Sequence, residues 1–159
     1  MSAGTTTPPL TAALVIVHLS SLDSFAFHEG MAKATRLARN IAAEILSHRG
    51  PVIIVDQGWT LEDDSAPRAR LLETIAARPD IHWIRFDEDV EDWAPFIVRL
   101  RRELHRRRVT EVIVGGIWYD PRLETGCATE VYLRLRRFFD VTVNPALVGC
   151  AGPGFRTGA

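Results

Sequence analysis

The sequence predicts an α/β protein with a three-layer, mainly parallel sheet and helices on both faces. Four short apolar runs, ALVIV (Ala13 to Val17), PVIIV (Pro51 to Val55), IHWIRF (Ile81 to Phe86) and EVIVGG (Glu111 to Gly116), are spread along the chain. Little polar alternation interrupts their Val and Ile, as befits strands covered on both faces. The intervals between them are longer and carry apolar residues at helical spacing, supplying the crossovers that parallel pairing requires.

Each element has its own signals. The opening MSAGTTTPPLT is rich in Thr and Pro and predicts a loose arm over residues 1–10. After the first run, Met31, Ala34, Leu37, Ala38, Ile41 and Ile45 recur at helical intervals until Arg49-Gly50-Pro51, predicting a helix from about Gly30 to His48. A shorter helix is expected over Pro67 to Ala77. Trp93, Phe96, Ile97, Leu100 and Leu104 form the apolar stripe of another around Glu91 to Arg107. Its other side carries Arg99, Arg102 and Arg106; with no aromatic platform between those charges, it reads as a solvated face rather than an RNA surface. A further helix starts near Cys127, and VTVNPALV from Val141 predicts a fifth strand. The Gly-rich AGPGFRTGA reads as an irregular tail. The expected organisation is one domain over 11–150, flanked by the arm 1–10 and the tail 151–159.

Composition agrees with that plan and narrows the function classes. The chain has 159 residues, 47% hydrophobic and 25% charged, enough for one core. Its 19 Lys and Arg against 20 Asp and Glu leave a net charge of −1, so no global field points to nucleic acid or an anionic membrane. The run Ala12 to Val17 is too short to span a bilayer or act as a signal peptide. Two distant cysteines fit a reducing compartment, although a Cys127 to Cys150 bridge stays geometrically open. The expectation is a cytoplasmic protein.

In open parallel sheets ligands bind beyond the carboxyl ends of the strands. The loops to inspect are therefore His18 to Phe25, Asp56 to Trp59, Arg85 to Glu88 and Gly115 to Cys127, which hold one thiol, one imidazole, carboxylates and two indoles. Cys127 stands where a loop yields to a helix, and the N–H groups and positive dipole end there favour a thiolate. Equally, Cys127 reads as a small buried apolar residue. His18 and Asp23 are candidate bases or ordinary strand-end and turn residues, and Arg85 is an anion clamp or a partner of Asp87, Glu88 and Asp89. Asp56 and Gln57 are candidate substrate contacts or loop caps. Trp59 and Trp118 would form an aromatic wall unless they pack in the core. No His pair has metal-ligand spacing. No G-x-G-x-x-G or G-x-x-x-x-G-K-[ST] follows a strand, which disfavours a nucleotide-binding domain.

ALVIVHLSSLDSF, IHWIRFDEDVEDWAPF and VIVGGIWYDPRLETGCATEVYLRLRRFFDVTV, taken in order, resemble the isochorismatase-like cysteine hydrolases, a Rossmann-like group that includes nicotinamidases and N-carbamoyl amidohydrolases. The resemblance covers most of the chain. It implies a nucleophilic Cys127, an oxyanion hole from the backbone N–H groups of Gly126 and Cys127, a homo-oligomer and a small-molecule substrate. The family's strand-end aspartate falls on His18, with Asp23 nearby, and its lysine is best matched by Arg85. The loop Ile117 to Thr125 is longer than usual, so Trp118, Tyr119, Pro121 and Arg122 would narrow the pocket. The family's metal cluster after the second strand has no counterpart in DQGWTLEDD, so neither metal nor other cofactor is expected. The family also continues past its fifth strand, which implies a sheet edge left to a partner or a trimmed fold. The implied activity is cleavage of an amide-type C–N bond through a thioester, and the alternative is a noncatalytic small-molecule binder or complex subunit.

Overall fold

The computed structural model describes residues 12–57, 66–122 and 124–150. The expected arm, the tail and Trp59 lie outside the described residues. Five strands form one sheet in the order β3-β2-β1-β4-β5, and every pairing is parallel. They are β1 (Ala13–Val17), β2 (Val52–Asp56), β3 (His82–Arg85), β4 (Glu111–Tyr119) and β5 (Asp140–Cys150). The helices are α1 (Leu22–Glu29), α2 (Met31–Ser47), α3 (Ala66–Ala77), α4 (Trp93–Arg106) and α5 (Cys127–Leu135).

Strand alternation divides the apolar residues into two layers. Ala13, Val15 and Val17 of β1 join Ile53 and Val55 of β2 and Val112 and Val114 of β4 beneath α4 and α5. Leu14, Ile16, Val52 and Ile54 face the other way, against α1, α2 and α3. Covering on both faces is why β1 and β2 are buried at every position and read as unbroken Val/Ile runs. On the first layer Phe96 of α4 stacks on Phe86 at 4.2 Å, and Trp93 lies 4.5 Å from Phe86 between centroids. This aromatic group caps the layer at the carboxyl end of the strands.

Three stretches differ from the sequence reading. His18 to Phe25, expected as a loop, contains a 3-10 turn at Leu19–Ser21 and the start of α1. Only Leu22 and Phe25 of α1 are buried, so an eight-residue helix left almost no periodic signal. At Gly30, with φ 97°, the chain turns from α1 into α2, a conformation suited to glycine. β4 runs on to Tyr119 through irregular pairing with β5, which shortens the loop expected from Ile117.

Among the described residues, no helix is long and apolar enough to cross a membrane.

Candidate functional site

β1 ends at Val17, and the next residue takes an unusual backbone: His18 has φ 61° and ψ 46°, in the left-handed region. A side chain there costs about 1 kcal/mol or more, so the surrounding contacts must hold it. Its N–H donates to the Val55 carbonyl at 2.8 Å and its carbonyl accepts from the Ser21 N–H at 3.0 Å, while its ring Nδ1 lies 3.4 Å from the Ser21 hydroxyl. Asp56, at the end of β2, secures the same turn. Its buried carboxylate accepts the Ser20 N–H at 2.9 Å and the Gln57 N–H at 2.7 Å. Of the candidate substrate contacts Asp56 and Gln57, the Asp56 carboxylate caps this turn and the Gln57 side-chain amide donates to Asp87 at 3.4 Å.

β4 passes so close to β1 that a Cβ on Gly116, where φ is 114°, would lie 2.0 Å from the Val17 carbonyl oxygen. A second tight approach, at Gly126, would put a Cβ 2.4 Å from the Trp118 carbonyl oxygen. These glycines bring Cys127, the first residue of α5, down beside β1 and β2. The placement of Cys127 at a helix start agrees with the sequence reading.

The surroundings of the sulfur do not agree with it. Cys127 lines a cavity of about 10 Å³ with Val17, His18, Val55, Phe86, Glu88 and Trp93. Its thiol donates to the Glu88 carboxylate at 3.6 Å. Burial foremost, and then the Glu88 charge, push the Cys127 thiol far above its ordinary range, with Asp56 and Glu130 adding to the effect. Of the two readings open for Cys127, these surroundings fit the small buried residue and not a thiolate stabilised by the helix end. A helix N-terminus contributes about 0.3–1 kcal/mol, whereas desolvation shifts a buried group by up to several pKa units.

Two expected partners lie elsewhere. Arg85 is exposed and does not line the cavity. Its neighbour Ile84 packs on the Cys127 layer, so the pleat sends Arg85 to the opposite face. Asp23 is exposed on α1 and ion-paired to Arg68 of α3 at 2.9 Å, and Arg68 also donates to the Ser20 carbonyl at 2.9 Å. That pairing makes Asp23 a tie between α1 and α3, not a neighbour of the thiol. Trp118 packs on the far layer, 5.4 Å from Phe25 and 6.1 Å from His28 between centroids. Tyr119 packs on the Cys127 layer and meets Tyr132 at 6.1 Å. The aromatic wall beside the thiol is therefore Phe86 and Trp93.

Glu88 and Trp93 are what the sequence reading missed as site residues. Glu88 sits at the end of the loop already singled out after the third strand, but within DEDVED it resembled one solvated acid among several. Only the turn Asp87–Glu91, where the Glu91 N–H donates to the Asp87 carbonyl at 2.9 Å, selects which of these carboxylates reaches the thiol, and Glu88 does so while remaining exposed. Among the described residues no group of three or more His, Cys, Asp and Glu side chains is placed to hold a metal.

No family model matches the chain, and no curated protein does. Among solved structures, the nicotinamidase SaPncA from Staphylococcus aureus superposes with a TM-score of 0.56 at 16% identity, covering 87% of this chain and 84% of that one. The MAR1 ribonuclease from Caenorhabditis elegans gives a TM-score of 0.49 at 21% identity, over 89% of this chain and 66% of the other. The first likeness shows the fold: the chain shares the α/β architecture of that nicotinamidase, a parallel sheet with helices on both faces, as its sequence predicts.

Proposed function

We propose that this chain is a cysteine hydrolase that cleaves an amide-type C–N bond of a small metabolite, with Cys127 as nucleophile and Glu88 as its proton acceptor. The observation that carries the reading is the 3.6 Å hydrogen bond from the thiol to Glu88, at the head of α5 and in a cavity shared with His18. A thiol held neutral at working pH attacks as its proton leaves, so its base must already be in contact. Glu88 takes the Sγ proton while sulfur bonds to the carbonyl carbon, and the carbonyl electron pair moves onto oxygen. Backbone N–H groups of Gly126 and Cys127 receive that oxyanion. Collapse breaks the C–N bond, and the leaving nitrogen takes the proton from Glu88 directly or through His18. Water then attacks the thioester, releasing the acid and restoring the thiol. The nicotinamidase likeness supports the fold on which this chemistry is placed.

A second reading has its own support. A cavity of about 10 Å³ holds about one water and no metabolite, and the residue beside the sulfur is an acid where the family resemblance implies a cation. Both facts favour a noncatalytic member that serves as a small-molecule binder or complex subunit. Assay of a panel containing nicotinamide, N-carbamoyl amino acids and simple aryl amides separates the two. Under the first reading at least one amide is hydrolysed, and Cys127→Ala and Glu88→Gln each suppress that activity. Absence of turnover across the panel, or turnover that survives Cys127→Ala, favours the second. A homo-oligomer is also proposed, and light scattering at high protein concentration tests it.

A further inference from the structure

A larger cavity opens on the opposite face of the sheet, between α2 and the edge strand β5, with a volume of about 270 Å³. Its floor is apolar: Phe25, Leu37 and Val148 line it and are nearly fully buried themselves. Its α2 wall is cationic, because Lys33 and Arg36, one helical turn apart, both border it. Both cations are exposed, and among the described residues no carboxylate pairs with either. Asn40, a further turn along, fastens the two walls by donating to the Ala146 carbonyl at 3.1 Å, which leaves its second N–H for another acceptor. At the far end, burial first raises the Cys150 thiol, and the Asp120 and Glu29 charges add to that while Arg122 opposes it.

We infer that this α2–β5 cavity is a binding site for a small organic acid, with the carboxylate held between Lys33 and Arg36 and an apolar body lying on Phe25, Leu37 and Val148. Charge on one wall and apolar surface beneath specify an amphipathic monoanion with its carboxylate on α2. Inorganic phosphate meets the cations but makes no use of the floor. The Cys127 cavity lies under the other layer, so occupancy here is independent of the proposed hydrolysis.

Calorimetric titration with 2-naphthoate, 2-naphthamide and inorganic phosphate tests the site, with amide chemical shifts to locate it. The acid binds one to one, shifts residues 33–40 and 146–150, and binds Cys127→Ala protein equally well. Loss of a charge-assisted pair weakens binding at least about tenfold, so the K33Q/R36Q double variant and the neutral amide both fall by that factor. Ala146→Trp, which fills the cavity and spares the cations, weakens binding similarly. The inference is overturned if naphthoate fails to bind at about 10 mM, about tenfold above the ~1 mM dissociation constant of a weak specific site. Equal binding of acid and amide, unchanged binding to the double variant, or phosphate binding as tight as naphthoate overturns it as well.

Discussion

Replacing Glu88 by glutamine removes a negative charge 3.6 Å from the Cys127 sulfur and keeps the side-chain volume. At that distance two unit charges interact by roughly 4–5 kcal/mol at an effective dielectric of about 20. Glu88 is exposed, and solvent screening reduces its effect on a thiolate to roughly 1–1.5 kcal/mol, about one pKa unit. The thiolate fraction of Cys127 at fixed pH therefore rises about tenfold in Glu88→Gln. Iodoacetamide labelling followed peptide by peptide reads this directly. In the unmodified protein the exposed Cys150 labels before the buried Cys127, and in Glu88→Gln the Cys127 rate increases about tenfold at about pH 8. Hydrolytic turnover moves the other way, falling roughly a hundred- to ten-thousand-fold as the general base is lost. A site made only of packing has no reason to give opposite signs. Labelling that slows or does not change in Glu88→Gln refutes the electrostatic argument, and turnover that does not change refutes the base.

Other parts of the fold give separate tests. Gly116→Ala forces a Cβ to 2.0 Å from the Val17 carbonyl at a φ of 114°, so the variant loses more than about 3 kcal/mol or does not fold; a urea midpoint within error of the parent contradicts the close approach. Asp56→Ala strips the acceptors from the Ser20 and Gln57 N–H groups and costs roughly 2–4 kcal/mol in urea unfolding, and a loss below about 1 kcal/mol contradicts the capping role. The Glu103 carboxyl is held down at about 2 by the Arg106 hydrogen bond foremost, with Arg107 and the His82 charge adding, against burial. Because its folded value lies below the ordinary 4.5, its contribution to stability is complete above about 4.5 and is lost as pH falls from there through about 2. Urea midpoints between those limits fall less steeply in Glu103→Gln, and identical slopes contradict the assignment.

The layers were legible because burial on both faces writes itself into β1, β2 and β4 as unbroken apolar runs, and because the stripes of α2 and α4 keep strict helical spacing. α1 was not legible, since two buried residues in eight carry too little period and its start is fixed by the bonds around His18 and Asp56. Within the site, the place of Cys127 could be read because it depends on local order, a strand, a glycine and a helix. Of its partners, His18 shares the cavity as the strand end suggested, but the charged one could not be read. Whether Arg85 or Glu88 faces the sulfur depends on the parity of β3 and on the turn after it, and a shift of one residue exchanges the two faces. The sign of the thiol shift stayed open for a related reason: the helix end is visible in sequence, whereas the depth of burial and the facing carboxylate are tertiary facts.

In the proposed reaction the Cys127 sulfur bonds to the carbonyl carbon of an amide while Glu88 receives its proton. Rapid acid quenching of a turnover mixture, followed by peptide mass mapping, tests it most directly. An acyl increment on the peptide containing Cys127, released by neutral hydroxylamine as a thioester is, absent from Cys127→Ala and accumulating more slowly in Glu88→Gln, is the result predicted. Product formation with no increment at Cys127, continuing undiminished in Cys127→Ala, contradicts it.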